Sequence, residues 1–397
     1  MGGVGAISAL HGAQRWGEVT EVVSVSGGSL LNGALLALRD PEDLVDDPLP
    51  ALGRFVARLL DDPMRLLGSP RRAGLVAGVV LTVSAAVALA VTVAGGIGPS
   101  GWWRSGWVCL LVGLTAAPVV VSVARRLASA MWSDWVHTVT GGRRVALAGS
   151  PEARRHVFCA SGLSSAVPYY FWAHGAAPSM AWGEPIQAGY TVSDAVRAST
   201  TLPGMRGVRA PEEFRGEMLV DGGLSGIFGE QIESELQRDP RDTWRGDHQR
   251  LAVDGGRHAM SDRPLVRRLG GISVGYTVVR WLQASLEATY VNDLADWRDT
   301  ELVRLSVAPG AEGTSGPATT DPVARAIATG QAATAHLGLF ALDAPSADRA
   351  IVVGYAGTAR ALDPAITADA IETGLVGVGP RLGRGDSLAS CWRALVM

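Results

Sequence analysis

Cysteine is scarce in this chain of 397 residues, and its scarcity excludes two kinds of protein. Only Cys109, Cys159 and Cys391 occur, and no two of them form a C-x-x-C pair. A disulfide-rich scaffold and a thiolate zinc site are therefore excluded, and a reducing compartment fits the composition. The sequence predicts neither a metal nor an organic cofactor.

Charge is scarce as well. Asp, Glu, Lys and Arg make up 18% of the residues, the net charge is −3 and the isoelectric point is near 6.2. No basic surface is predicted, so nucleic acid is not an expected partner. A cleavable signal peptide is not predicted either, because the first ten residues lack a basic region and His11, Gln14 and Arg15 interrupt the first apolar run.

Apolar residues are abundant instead: 47% of the chain is hydrophobic and the mean hydropathy is +0.19. Two uncharged segments, residues 73–103 and 105–124, are each long enough to cross the hydrocarbon core of a bilayer as a helix. A buried helix of a soluble protein is the alternative, but such helices rarely contain so long an uncharged run. We therefore predict a two-helix transmembrane hairpin at residues 71–126.

The residues that flank this hairpin predict its orientation. Arginines precede the first segment and follow the second, whereas the loop between them has one: the flanking residues are Arg65, Arg71, Arg72, Arg125 and Arg126, and the loop residue is Arg104. Positive charge marks the cytoplasmic side, so we expect a multi-pass protein of the cell membrane with both flanks in the cytoplasm. Tryptophan favours the membrane interface, which places Trp102, Trp103 and Trp107 at the far interface and Trp132 and Trp135 at the near one.

The segment VVSVSGGSLLNGALLAL, residues 22–38, has the pattern of a strand, a sharp turn and a helix. Residues 20–25 have strand composition, and apolar residues recur at helical spacing from Ser29 to Leu38. A serine on such a turn is typical of a nucleophile elbow, which needs small neighbours; Ser24 stands where that motif has its first glycine and is small enough to replace it. The alternative is that Ser26 only caps the helix.

A serine nucleophile needs a base that accepts its proton. None of the seven histidines lies in a strand-end motif, whereas Asp221 ends a short apolar strand in GEMLVDGG. An acid at the carboxyl end of a strand lies where open α/β sheets hold their chemistry. The triplet D-G-G is also a common turn, and Asp254 repeats it in RLAVDGGRH.

The two motifs and their order resemble those of the patatin-like phospholipases, which carry a serine elbow early and a D-G-[GA] motif late. The resemblance implies that Ser26 is the nucleophile and Asp221 the base of a Ser–Asp dyad. It also favours Asp221 over Asp254, because AVRASTTLPGMRG, residues 195–207, is similar to the A-S-x-x-x-P segment that precedes the family's aspartate. Residues 155–172 are similar to the strand and hairpin that lead there.

The fold implied by the resemblance is a three-layer α/β/α domain. Residues 1–70 form its first part with the elbow, residues 71–126 are the membrane hairpin inserted into it, and residues 127–397 complete it with Asp221 and a helical C-terminal region. The implied function is hydrolysis of a membrane lipid or another acyl ester through an acyl-enzyme. The sequence leaves the oligomeric state open.

One departure from the family concerns the oxyanion hole. The family has a glycine-rich loop well ahead of its serine, whereas only 25 residues precede Ser26 here and VGAISALHGA aligns with the helix that follows that loop. Gly2 and Gly3 are candidates for a shortened remnant, and Gly27 supplies a backbone donor beside the nucleophile. One lost donor costs about 3 to 4 kcal/mol of transition-state stabilisation, so we expect impaired catalysis.

Two other functions follow from this departure and from the polar motifs. The first is a catalytically impaired membrane protein of the same fold that binds a lipid or a protein partner. The second is an α/β-hydrolase with a triad of Ser26, Asp221 and His258.

Overall fold

The structure is a mixed α/β protein with a partly parallel sheet. The computed structural model describes residues 1–40, 46–61, 122, 126, 129–141, 154–163, 168–174, 177–180, 190–201, 207–209, 218–224, 250–254, 300–304, 321–334 and 343–397. The predicted α/β class is confirmed.

The strands and helices of these residues are numbered in chain order. The strands are β1 (Glu21–Val25), β2 (Arg155–Gly162), β3 (Pro168–His174), β4 (Ala177–Met180), β5 (Val208–Arg209), β6 (Met218–Asp221), β7 (Arg250–Asp254) and β8 (Thr300–Arg304). The helices are α1 (Gly2–Gly12), α2 (Gly27–Ala37), α3 (Leu49–Asp61), α4 (129–140), α5 (Val192–Thr200), α6 (Pro322–Thr334), α7 (Ala344–Leu362), α8 (Ala368–Val378) and α9 (Ser387–Val396).

Strand β2 is the centre of a six-stranded sheet. One edge of β2 pairs antiparallel with β3, and β1 and β6 share the other edge. Strand β1 runs parallel to β2 and ends with Val25 opposite Cys159, whereas β6 runs antiparallel and ends with Asp221 opposite Ala160. The carboxyl ends of β1 and β6 therefore meet head-on at adjacent residues of β2.

All eight residues of β2 are buried, which shows that both faces of the sheet are covered at this strand. Phe158 and Ala160 join the main hydrophobic core, which also contains residues of α2 and α5. Cys159 points to the opposite face, where it packs in a smaller cluster with Tyr170 and Trp172. This two-sided burial agrees with the apolar run VFCA, residues 157–160, at the middle of the strand.

The sequence of helix α5 determines both where the helix starts and how closely it packs against α2. A reciprocal capping box joins Thr191 and Asp194: the hydroxyl of Thr191 accepts the Asp194 N–H, and the Asp194 carboxylate accepts the Thr191 N–H. A methyl group on Gly33 of α2 would lie 2.5 Å from a side-chain carbon of Val196. Helices α2 and α5 are therefore in close contact, which brings their polar residues together beneath β1.

The tryptophans of α4 correct one prediction from the sequence. Trp132 and Trp135 were expected at the membrane interface, but they are only 4% and 5% exposed. Their rings pack against each other with centroids 4.9 Å apart, and the Trp132 indole N–H donates to the Thr200 hydroxyl of α5. They belong to the protein core, because packing against α5 excludes them from the surface.

The C-terminal helices form a layer that includes the first helix of the chain. Helix α1 packs along α7 so closely that a methyl group on Gly5 would lie 1.9 Å from the Ile351 carbonyl oxygen, and one on Gly354 would lie 2.0 Å from that of Gly2. The helical C-terminal region predicted from the sequence corresponds to helices α6 to α9.

The predicted transmembrane hairpin at residues 71–126 also lies outside the described residues, apart from Ser122 and Arg126. Among the helices that the structure describes, none combines the length and the apolar composition needed to span a bilayer.

Candidate active site

Ser26 occupies a strained turn between β1 and α2. Its φ and ψ angles are 53° and −127°, a conformation that glycine adopts readily and that residues with a side chain rarely adopt. Such a conformation costs about 1 to 3 kcal/mol and persists only where the surrounding structure holds it. The side chain makes no capping hydrogen bond to α2. Ser26 is the N-cap residue of α2 by position, but the alternative that its hydroxyl serves only to cap the helix is wrong.

The structure brings Ser26 and Asp221 together across 195 residues of sequence. The Ser26 hydroxyl donates a hydrogen bond of 2.6 Å to Oδ2 of Asp221. This contact follows from the sheet, because β1 and β6 end head-on against β2, Ser26 directly follows β1, and Asp221 is the last residue of β6. A hydroxyl and a carboxylate at this distance are in position for proton transfer.

The backbone around Asp221 fixes its carboxylate. Its N–H donates to the Thr201 carbonyl at 2.8 Å, and its Oδ1 accepts the Gly223 N–H at 2.9 Å, which leaves Oδ2 for Ser26. Gly222 makes this arrangement possible, because a methyl group there would lie 2.2 Å from the Cys159 carbonyl oxygen. The first glycine of the D-G-G motif therefore lets the backbone that follows β6 pass in direct contact with the backbone of β2.

Burial makes Asp221 a stronger base than an exposed aspartate. The residue is 7% exposed, and desolvation raises its pKa from an ordinary 3.8 to about 6, although the hydrogen bonds from Ser26 and Gly223 act in the opposite direction. The carboxylate is still ionised at neutral pH, and its pKa is closer to that of a general base working near pH 7.

The predicted oxyanion donors lie in two different places. Gly27 begins α2 directly beside Ser26, it is exposed, and a methyl group on it would have no atom of the described residues within 4 Å. Its N–H is in the first turn of α2, at the positive end of the helix. Gly2 and Gly3 lie in the first turn of α1, where Gly2 packs against Gly354 and Gly3 lies close to Leu31.

The structure describes the competing base residues only in part. Asp254 ends β7, which pairs with β8 in a separate two-stranded sheet. Within the described ranges, no histidine is a hydrogen-bond partner of Ser26 or Asp221. His258 falls outside those ranges, and the part of the chain that is described holds no cluster of side chains suited to a metal ion.

Sequence reasoning did not identify the polar residues beneath the elbow. Ser199 of α5 accepts the Ser26 N–H at 3.1 Å and lies 2.7 Å from the Ser29 hydroxyl. Ser24 donates to the Val157 carbonyl at 2.9 Å, so the serine that replaces the first glycine of the elbow has its own hydrogen bond. The signal for Ser199 was the A-S-x-x-x-P similarity, which pointed to the segment and not to this contact.

Comparison with known proteins adds no family assignment: no protein-family model matches the chain, and no match is found among curated proteins.

Proposed function

We propose that this protein is a membrane-associated serine acyl hydrolase of the patatin-like type, acting on lipid esters through a Ser26–Asp221 dyad. The observation that carries the proposal is the hydrogen bond of 2.6 Å from the hydroxyl of Ser26, held on a strained turn, to a buried carboxylate. A serine that only stabilised the fold would not need the strained backbone that presents it.

The proposed reaction begins with attack of Ser26 Oγ on the ester carbonyl. Asp221 accepts the hydroxyl proton as the bond to carbon forms, and the negative charge that develops on the carbonyl oxygen lies near the N–H of Gly27. The tetrahedral intermediate then expels the alcohol, which takes the proton from Asp221. Water, activated by the same carboxylate, releases the acid and restores Ser26.

The proposal includes membrane association because of the two apolar segments at residues 73–103 and 105–124. An even number of crossings returns the chain to the cytoplasmic side, so residues before and after the hairpin can build one three-layer domain. An enzyme anchored in this way meets lipid esters at a high local concentration.

A second candidate is a protein of this fold that binds a lipid or a protein partner without hydrolysis. The placement of Gly2 and Gly3 favours it, because both lie in a helix packed against other elements and not in a glycine-rich loop. Such a protein would bind phospholipid vesicles but release no fatty acid from them.

The experiment that tests the proposal is hydrolysis of p-nitrophenyl butyrate and of phosphatidylcholine vesicles by the full chain in detergent. Because the carboxylate of Asp221 must be ionised to accept a proton and burial holds its pKa at about 6, kcat/KM should fall about tenfold per pH unit below that value and level off above pH 7. A rate that stays constant between pH 5 and 8 would rule out Asp221 as the base. Absence of hydrolysis, together with vesicle binding, would favour the second candidate.

A further inference from the structure

We propose that Ser199 is a positioning residue that holds the strained turn at Ser26 through an ordered chain of buried hydroxyl groups. This inference rests on the proposed function for its effect on catalysis. Its effect on the backbone does not depend on that function.

Four hydrogen bonds connect the turn to the central strand. The Ser26 N–H donates to Ser199 Oγ at 3.1 Å, and Ser199 Oγ lies 2.7 Å from Ser29 Oγ. Ser29 Oγ donates to Ser24 Oγ at 3.2 Å, which donates to the Val157 carbonyl at 2.9 Å. The three bridging hydroxyls are almost inaccessible to water: Ser199 and Ser29 are 0% exposed and Ser24 is 6% exposed.

The direction of every bond in this chain is fixed by its two ends. A hydroxyl has one proton to donate, and the Val157 carbonyl can only accept, so the Ser24 proton goes there. Ser29 therefore donates to Ser24, and Ser199 must donate to Ser29. Ser199 Oγ is then left as an acceptor, which matches the Ser26 amide, a group that can only donate.

The side chain of Asn32 stabilises the end of the hydroxyl chain that is farthest from Ser26. The Asn32 amide donates to Ser24 Oγ at 2.8 Å and to the Val157 carbonyl at 3.1 Å. Nδ1 of the fully buried His156 lies 2.6 Å from Asn32 Oδ1, which fixes the orientation of that amide. The Ser24 hydroxyl is thus held by partners on both β2 and α2.

The row of hydrogen-bonded hydroxyl groups matters because it holds one of the two peptide groups that flank Ser26. The carbonyl of Ser26 accepts the Ser29 N–H at 2.9 Å in the first turn of α2, and the amide of Ser26 is held by Ser199. With both peptide groups fixed, φ and ψ of Ser26 are fixed, and so is the direction of Oγ toward Asp221. Without Ser199, the turn can relax and move Oγ away from the carboxylate.

The catalytic test compares Ser199→Ala with Ser193→Ala. Ser193 lies on the same helix and is equally buried, but its hydroxyl bonds to His137 and not to the elbow. Misplacement of the nucleophile should lower kcat of S199A by about 10- to 100-fold and leave KM within about twofold, whereas S193A should stay within about threefold of the wild type. Equal kcat values for the two variants would overturn the positioning role.

A second test needs no activity, so it separates failure of this inference from failure of the proposed function. Glycine adopts the conformation of Ser26 without strain, so S26G should melt at a higher temperature than S26A while Ser199 holds the turn. In the S199A background the turn relaxes, and the difference in melting temperature between S26G and S26A should shrink. If the difference is the same in both backgrounds, Ser199 does not hold the strain.

The same cycle can be run with Ser29→Ala, which removes the next hydroxyl of the chain, in case S199A does not fold. The ordered chain predicts the same reduced difference between S26G and S26A, and an undiminished difference would contradict it. If the wild type hydrolyses no ester but the melting temperatures behave as predicted, the proposed function fails and the positioning role stands.

Discussion

Replacement of Asp221 by asparagine is expected to reduce ester hydrolysis by roughly 10³- to 10⁴-fold. The amide has almost the same shape as the carboxylate, but it has only one acceptor oxygen. If that oxygen keeps the Gly223 N–H, the NH2 group faces Ser26 as a donor, and the amide is in any case too weak a base to remove the proton during attack. The expected loss is therefore in kcat, with KM little changed. Initial rates with p-nitrophenyl butyrate over a range of concentrations measure both.

Asp254→Asn is the matched control, because Asp254 ends a strand in the same D-G-G triplet but lies in the separate β7–β8 sheet. It should hydrolyse at the rate of the wild type. Asp221→Asn should also melt at or above the wild-type temperature at pH 8, since burial raises the pKa of Asp221 and its charged form destabilises the fold at that pH. Full activity of Asp221→Asn, or loss of activity in Asp254→Asn alone, would contradict the assignment.

Gly222→Ala is expected to destabilise the protein by about 3 kcal/mol or more. The added methyl group would lie 2.2 Å from the Cys159 carbonyl oxygen and 2.7 Å from its carbon, and both atoms belong to the backbone of the central strand. They cannot move without breaking the pairing of β2 with its neighbours, so β6 must be displaced instead. The midpoint of thermal unfolding of the detergent-solubilised chain measures the effect.

Gly27→Ala is the control for this substitution. It adds the same methyl group beside the other residue of the dyad, but in a position where none of the residues that the structure describes has an atom within 4 Å. The change in stability should stay within about 0.5 to 1 kcal/mol, because the site is open and alanine favours a helix. Equal unfolding temperatures for the two alanine variants would show that the close contact at Gly222 does not constrain the fold.

The local elements of the site could be predicted from the sequence because their signals are local. A run of β-branched residues before Ser26 and helical spacing after it predicted β1 and α2, and a short apolar run before Asp221 predicted β6. Both residues lie at the ends of their strands, as expected. The hairpin of β2 and β3 also agrees with the family similarity of residues 155–172.

The arrangement of these elements could not be predicted in the same way. Nothing in the local sequence shows that β1 and β6 share one edge of β2 and meet head-on, because β1 pairs with residues 134 positions later in the chain and β6 pairs with residues 57 to 61 positions earlier. The hydroxyl chain is equally hidden, since serine is common in turns and helix starts. Trp132 and Trp135 were misplaced for a related reason: their position after an apolar run suggested a membrane interface, whereas tertiary packing buries them against α5.

Covalent labelling of the full chain with a fluorophosphonate tests the central claim most directly. An activated serine attacks the phosphorus and expels fluoride, so mass spectrometry should find one phosphonyl group on the peptide that contains Ser26 and none in the Asp221→Asn variant. A label on a different serine, or an unlabelled Ser26 in protein that still hydrolyses esters, would contradict the account.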